Sequence, residues 1–257
     1  MEILLAEGVT IPVVIFAVFV AAFAGFIKGS IGFGLPSIMI ASLGAFLDPL
    51  LALAFLILPT FATNTVQAFR DGISGALSAI AKHWQLLVAF FITLLFSSQI
   101  ATSIPKDVFF LLLGTPVTSF ALLQLIRWRP RVPPGRRSAC EFAAGAVAGF
   151  FGGLAGVWGP PVVFLLSALE TPKREQVTAQ GVIYLLGSLL LVPAHLNSGI
   201  LNRDTLPLSL FLCIPAVAGL IAGFLVQDKL DQEKFRKITF IAVTLAGLNL
   251  IFRGVVL

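Results

Sequence analysis

Lysine 28 stands alone among residues that cannot pair with it. The stretch Ala24-Gly25-Phe26-Ile27-Lys28-Gly29-Ser30-Ile31-Gly32-Phe33-Gly34-Leu35-Pro36 contains one ionisable side chain, no acid and four glycines. An ionisable group inside an apolar run is costly and reads first as a functional group. An ammonium with no carboxylate nearby can attract an anion. A second glycine- and proline-rich stretch, Gly152-Gly153-Leu154-Ala155-Gly156-Val157-Trp158-Gly159-Pro160-Pro161, carries no charge. In each, proline falls where a helix would restart, a position that does not need its missing N–H. A restarting helix points free N–H groups and a partial positive charge at whatever lies in front of it, which suits an anion. The sites expected from this are Lys28, Gly32, Phe33 and Gly34 in the first stretch and Gly156, Trp158 and Gly159 in the second. Asn64 and Gln67, with Gln180 and Tyr184, are hydrogen-bonding side chains on one face each of two following helices, in reach of substrate oxygens.

The elements that hold these residues are membrane spans. The chain has 257 residues, 58% hydrophobic and 11% charged, with a mean hydropathy of +1.02. A soluble domain has about 45–50% apolar and about 25% charged residues. So little charge cannot cover a water-facing surface, which excludes a soluble enzyme, a nucleic-acid-binding domain and a disordered chain. The pI of about 9.6 reflects charges clustered between apolar runs. Cys140 and Cys213 are too few for a disulfide framework. The N-terminal residues Glu2 and Glu7 are acidic where a signal peptide is basic. Uncharged runs at 49–69, 83–105, 108–126, 176–195 and 205–227 each suit one spanning helix of about 20 residues, and a shorter run at 238–252 extends past Arg253. The regions 11–47 and 142–169 do not fit single helices, being interrupted at 29–34 and 152–161.

The two interruptions are related. Shifted by 124 residues, positions 25–36 and 149–160 share five identities: Gly25/Gly149, Phe26/Phe150, Gly29/Gly153, Gly32/Gly156 and Pro36/Pro160. Three apolar spans follow each. The chain therefore divides into an N-terminal repeat (1–127), a basic linker (128–138) and a C-terminal repeat (139–257) within one membrane domain. Cytoplasmic loops carry an excess of Lys and Arg. If each interrupted segment returns to the side it came from, thirteen Lys and Arg fall inside and three outside; if each crosses once, the split is nine to seven. The expected fold is an all-α polytopic membrane protein of two inverted repeats, each a broken re-entrant hairpin plus three transmembrane helices. Loops 71–82, 127–138, 170–175 and 228–237 then face the cytoplasm and both termini the periplasm. A full crossing by 11–27 is the alternative for the first segment. Asp48 and Glu141, at hairpin ends, and His195, at a span end, are expected among the headgroups, with Trp84 and Trp128 as interfacial anchors.

The double motif, Ala24 to Gly34 and Ala148-Gly149-Phe150-Phe151-Gly152-Gly153-Leu154-Ala155-Gly156, resembles the sulfite exporter TauE/SafE family, also called the toluene sulfonate uptake permeases. The resemblance spans almost the whole chain. It implies a membrane protein, here of the bacterial inner membrane, that moves sulfite, organosulfonates such as sulfoacetate, or related anions. Leu35-Pro36 and Trp158-Gly159-Pro160-Pro161 stand where the family commonly has a glycine run, so Trp158 bears on pocket size. The reading is a secondary transporter working by alternating access, with the anion at the hairpin tips; a passive anion channel is the alternative. No G-x-x-x-x-G-K-[ST], H-E-x-x-H or G-x-S-x-G is present, so neither ATP hydrolysis nor catalysis is expected, nor a metal, cofactor or nucleic acid. The partners are a small anion and the lipid bilayer, with coupling to a proton or another cation gradient, or to the substrate gradient alone.

Overall fold

The computed structural model describes residues 9–70, 72–126, 131–226 and 232–256. Within them the chain is helical, with no strand. The elements are α1 (Ile11–Ile31), α2 (Leu35–Leu43), α3 (Pro49–Ala68), α4 (Ile73–Lys82), α5 (Trp84–Ile100, extended by a 3-10 turn Ala101–Ser103), α6 (Lys106–Leu125), α7 (Arg137–Ala155), α8 (Gly159–Ala168), α9 (Lys173–Asn197), α10 (Leu206–Val226) and α11 (Gln232–Val256). Seven are long and apolar enough to cross a membrane: α1, α3, α5 with its 3-10 turn, α6, α7, the Thr178–Asn197 part of α9, and α10. Trp128, Arg127, Arg129, Lys229 and the acidic residues Glu2 and Glu7 lie outside the described residues.

The breaks are shorter than the sequence pattern suggests. Gly29 and Gly153 stay helical because each turns its bare Cα to a neighbouring helix, where a side chain would not fit. The helix ends only at Gly32, which adopts φ +90° and returns its N–H to Lys28 O at 2.7 Å. Gly156, at φ +68°, does the same to Gly152 O at 2.7 Å. Only glycine takes that left-handed conformation without steric cost. Lys28 is thus in the last turn of α1 and not in the break itself. The arms around each break are unequal: α1 and α7 have 21 and 19 residues, α2 and α8 have 9 and 10. At about 1.5 Å per residue, the first arms approach the thickness of a bilayer core and the second arms cover about half of it.

Helices in lipid gain little from hydrophobicity and associate through close packing. Here that packing is reciprocal: α1 lies on α10 and α7 on α5, while α3 faces α9 and α6 faces α11. Glycine makes both reciprocal contacts. A methyl carbon at Gly25 would lie 2.1 Å from Ala216 O, one at Gly219 2.0 Å from Ala22 O, and one at Gly149 2.2 Å from Phe90 O. Residue numbers rise together along both pairs, so each pair runs parallel.

The helix ends gather in two groups. In one, Lys82 pairs with Glu175, Arg137 Nη2 donates to Lys82 O at 3.3 Å, and Val132 N donates to Ala168 O at 3.2 Å. In the other, Lys106 pairs with Asp48 at 2.5 Å, Arg253 Nη1 donates to Gly44 O, and the Phe16 and Phe46 rings meet at 5.3 Å. Asp48 also caps α3, accepting from Leu50 N at 2.9 Å.

Two polar residues depart from expectation. Glu141 is not among headgroups: it is buried, accepting from Arg137 Nε at 3.0 Å and 3.3 Å from His83 Nδ1. Burial pushes the His83 imidazole below its ordinary range, and the Glu141 carboxylate opposes that shift. His195 is likewise buried, its Nδ1 3.3 Å from Ser198 Oγ. Segment 73–82, expected as loop, is the helix α4. Its apolar residues Ile73, Ala76, Leu77 and Ile80 recur at helical spacing, too briefly to stand out in a sequence this apolar.

Candidate binding site

Between the two breaks lies a small cavity of about 10 Å³, room for about one water-sized sphere. From the first break come Phe33, Gly34, Pro36 and Ser37, and from the second Gly156, Val157, Trp158, Gly159 and Pro160; Lys28, Asn64 and Tyr184 complete the wall. Both short helices begin here. Gly34 is the N-cap of α2 and Trp158 that of α8, with proline in each first turn. The wall thus combines two helix N-termini, one lysine, and no carboxylate, histidine or cysteine.

The lysine is 2% exposed. Its Nζ donates to Thr63 Oγ1 at 3.0 Å and to Asn64 Oδ1. No carboxylate of the described residues pairs with it. Thr63 passes its own proton to Pro59 O at 2.7 Å. Asn64 turns its other end outward, Nδ2 donating to Tyr184 O at 2.8 Å and to Ser188 Oγ at 3.3 Å. That network fixes the amide: oxygen to the ammonium, nitrogen to the carbonyl. An ammonium has three donors, and two are used, leaving one for the cavity. Tyr184 Oη donates to Gly159 O at 3.4 Å.

Of the expected residues, Lys28, Phe33, Gly34, Asn64, Gly156, Trp158, Gly159 and Tyr184 border the cavity. Gly32, Gln67 and Gln180 do not. They cluster just behind it, Gln67 Nε2 donating to Gly32 O at 2.9 Å. A methyl carbon at Gly32 would lie 3.3 Å from Gln180 Oε1. Two further polar residues belong to the site. Ser37 lines the cavity in the first turn of α2, and Thr63 holds Lys28. Both were legible only as hydroxyls, which abound in membrane helices as inter-helix glue.

Residues 124 apart show how unequal the two breaks are. Lys28 and Thr63 correspond to Gly152 and Gly187, and Gly34 corresponds to Trp158. The indole fills the space the two glycines leave: a methyl carbon at Gly152 would lie 2.9 Å from Trp158 Cε3, and one at Gly187 3.6 Å from it. Phe90 closes the slot edge-on, its ring centroid 5.9 Å from that of Trp158. Bulk and charge on one side are exchanged for an aromatic wedge on the other. The surroundings of the tips follow suit. Gly32 meets Gln67 and Gln180, whereas Gly156 meets Leu191 and Leu56, the residues at the matching positions.

A bundle of apolar membrane-length helices, interrupted at two breaks around a small cavity bordered by a buried lysine, defines a multi-pass membrane protein. The family model for the sulfite exporter TauE/SafE matches residues 17–250, and the chain belongs to that family of membrane transporters. No curated protein and no solved structure matches the chain.

Proposed function

We propose that the protein is a secondary transporter for a small sulfur-containing anion, sulfite or an organosulfonate such as sulfoacetate, which it binds between the two breaks and moves by alternating access. The observation that carries this is Lys28: a buried ammonium without a carboxylate partner among the described residues, beside a cavity at which two helices begin. A sulfonate needs donors and no base, and the wall offers the Lys28 ammonium, the Ser37 hydroxyl, the free N–H groups at the start of α2 and, since Pro160 and Pro161 carry none, the Gly159 N–H of α8. Such donors are worth most where water is excluded. Gly32, Gln67 and Gln180 would then act from behind, holding the first tip in place.

In this reading the halves 1–127 and 139–257, joined by the basic linker 128–138, are inverted repeats, and α1–α2 and α7–α8 are re-entrant hairpins. The contact of Phe16 with Phe46 supports a return to the starting side for the first, and the bond from Val132 to Ala168, next to the start of α7, supports it for the second. The short second arms, which cover about half of the core, fit a hairpin whose tip lies near mid-membrane. With the basic loops inside, a cysteine at Asn202 reacts with an impermeant thiol reagent from the outside and one at Arg136 does not. Reaction of the Arg136 cysteine from outside overturns this orientation.

Counterflow in proteoliposomes tests the function. Saturable exchange of labelled sulfite or sulfoacetate is expected. Conductance without exchange would make the protein a channel, and neither, for any sulfur oxyanion or sulfonate tried, would refute the reading. A thermal-shift screen against sulfite, sulfate, thiosulfate, sulfoacetate, taurine and carboxylates identifies the anion, because a ligand of the folded state raises its apparent stability.

A further inference from the structure

We propose that Phe33, Phe120, Phe164 and Phe240 form an aromatic gate that closes the cavity on the side where the basic segments meet, and that must part for an anion to pass on that side. The inference rests on the transport reading above.

Phe33 is itself cavity wall. Its ring centroid lies 5.8 Å from that of Phe120, edge-on at 68°, and 6.0 Å from that of Phe240, stacked at 26°. Phe120 also meets Phe240 at 5.7 Å and Phe164 at 5.4 Å, both nearly perpendicular. The four rings come from four elements: the first break, α6, α8 and α11. Phe33, Phe120 and Phe240 are buried and Phe164 is half-buried.

Their positions along the helices set the side. Phe120 lies near the end of α6, which leads into the arginine-rich linker. Phe240 lies in the first part of α11. Phe164 is one turn before Ala168, whose carbonyl accepts from Val132 of the linker. The rings therefore step from the cavity toward the end of the bundle that carries Lys82, Arg137 and Glu175. An apolar constriction excludes a hydrated ion by refusing it water. It can also part without stranding a buried polar group, which a hydrogen-bonded closure cannot do at no cost. Three of the four ring contacts, Phe33–Phe240, Phe120–Phe240 and Phe120–Phe164, join the two halves, so relative movement of the halves breaks those three together.

The test reads access directly. With Cys140 and Cys213 replaced by alanine, Ser37→Cys places a thiol on the cavity wall, and Arg136→Cys in a parallel sample marks the basic face. Adding Phe120→Ala is expected to speed labelling of Ser37→Cys by an impermeant maleimide at least tenfold from the face that labels Arg136→Cys, with no change from the other. An unchanged rate from that face, or an equal rise from both, overturns the gate. If Phe120→Ala yields no monodisperse protein, Phe240→Leu, which keeps an apolar side chain, replaces it, with at least a threefold rise expected from the same face only. Labelling needs no transported anion. A parent that exchanges no anion therefore refutes the transport reading alone, and a parent that exchanges while access stays unchanged refutes the gate alone.

Discussion

Lys28→Met weakens binding of the transported anion by about 2 kcal/mol or more, in line with the roughly 1.5–3 kcal/mol of a hydrogen bond to a charged group. That is at least a twentyfold to thirtyfold loss of affinity, read as a loss of ligand-induced thermal shift. The physical reason is that the ammonium faces the cavity with one donor unused while Thr63 and Asn64 hold the others. An anion there neutralises a charge that has no carboxylate to do so. Methionine keeps the length and removes both charge and donors. Without ligand the change is small, because two opposing effects meet: an uncompensated buried charge disappears, and Thr63 Oγ1 and Asn64 Oδ1 lose their donor. Lys28→Arg is milder than Lys28→Met but not neutral, since a planar guanidinium does not fit a pocket shaped around a point charge. Unchanged affinity in Lys28→Met would leave binding to the helix ends alone.

The glycines separate into two classes with different failures. Gly149→Leu leaves almost no folded protein: its first side-chain carbon would lie 2.2 Å from both Phe90 O and Thr93 Oγ1, so α7 and α5 must part along their length. Overpacking a tight interface by even one or two methylenes costs about 1–3 kcal/mol, and here the obstacle is backbone. Gly25→Leu fails in the same way against Ala216. Gly32→Leu is different. Its neighbour within 4 Å is the end of a flexible side chain, Gln180, and its main penalty is the φ of +90°, about 1–3 kcal/mol for a strained backbone. Folded protein therefore survives in part, but the first tip is displaced and exchange is lost. Gly156→Leu loses exchange too, with a lower yield, because Leu56 stands 2.9 Å away. Size-exclusion yield and counterflow on the same preparations distinguish the classes. Full exchange by Gly32→Leu and Gly156→Leu would exclude the breaks from the path.

The spans were legible because each is an uncharged run of the right length bounded by Lys, Arg, Asp or Glu, and the breaks because glycine and proline have few other uses at that density. What composition could not resolve was the end of the helix within each glycine cluster. Gly29 and Gly32 look alike in sequence. One is helical because Leu220 O lies where its side chain would be, and the other is left-handed because the chain must turn. That difference belongs to a partner helix far along the chain. The same holds for the site. Lys28 announced itself as a lone charge, but Thr63 became its partner only through the packing of α1, α3 and α9. Glu141 and His195 misled for a related reason: an ionisable side chain near a span end reads as exposed unless the neighbour that buries it is known.

Because α1 packs on α10, an early helix, Ile11–Ile31, waits for a much later one, Leu206–Val226, before its glycine face is covered. Until then Gly25 and Gly29 expose bare backbone to lipid, and Lys28 depends on α3 arriving to supply Thr63 and Asn64. The amino-terminal half cannot complete itself, since its own α5 is reserved for α7 of the other half. A chain truncated before α10 therefore leaves the glycine face of α1 uncovered. The linker is more than a tether, since Val132 N reaches Ala168 O and Arg137 reaches Glu141 and Lys82 O. Two separately translated pieces, 1–127 and 128–257, would keep those contacts between them.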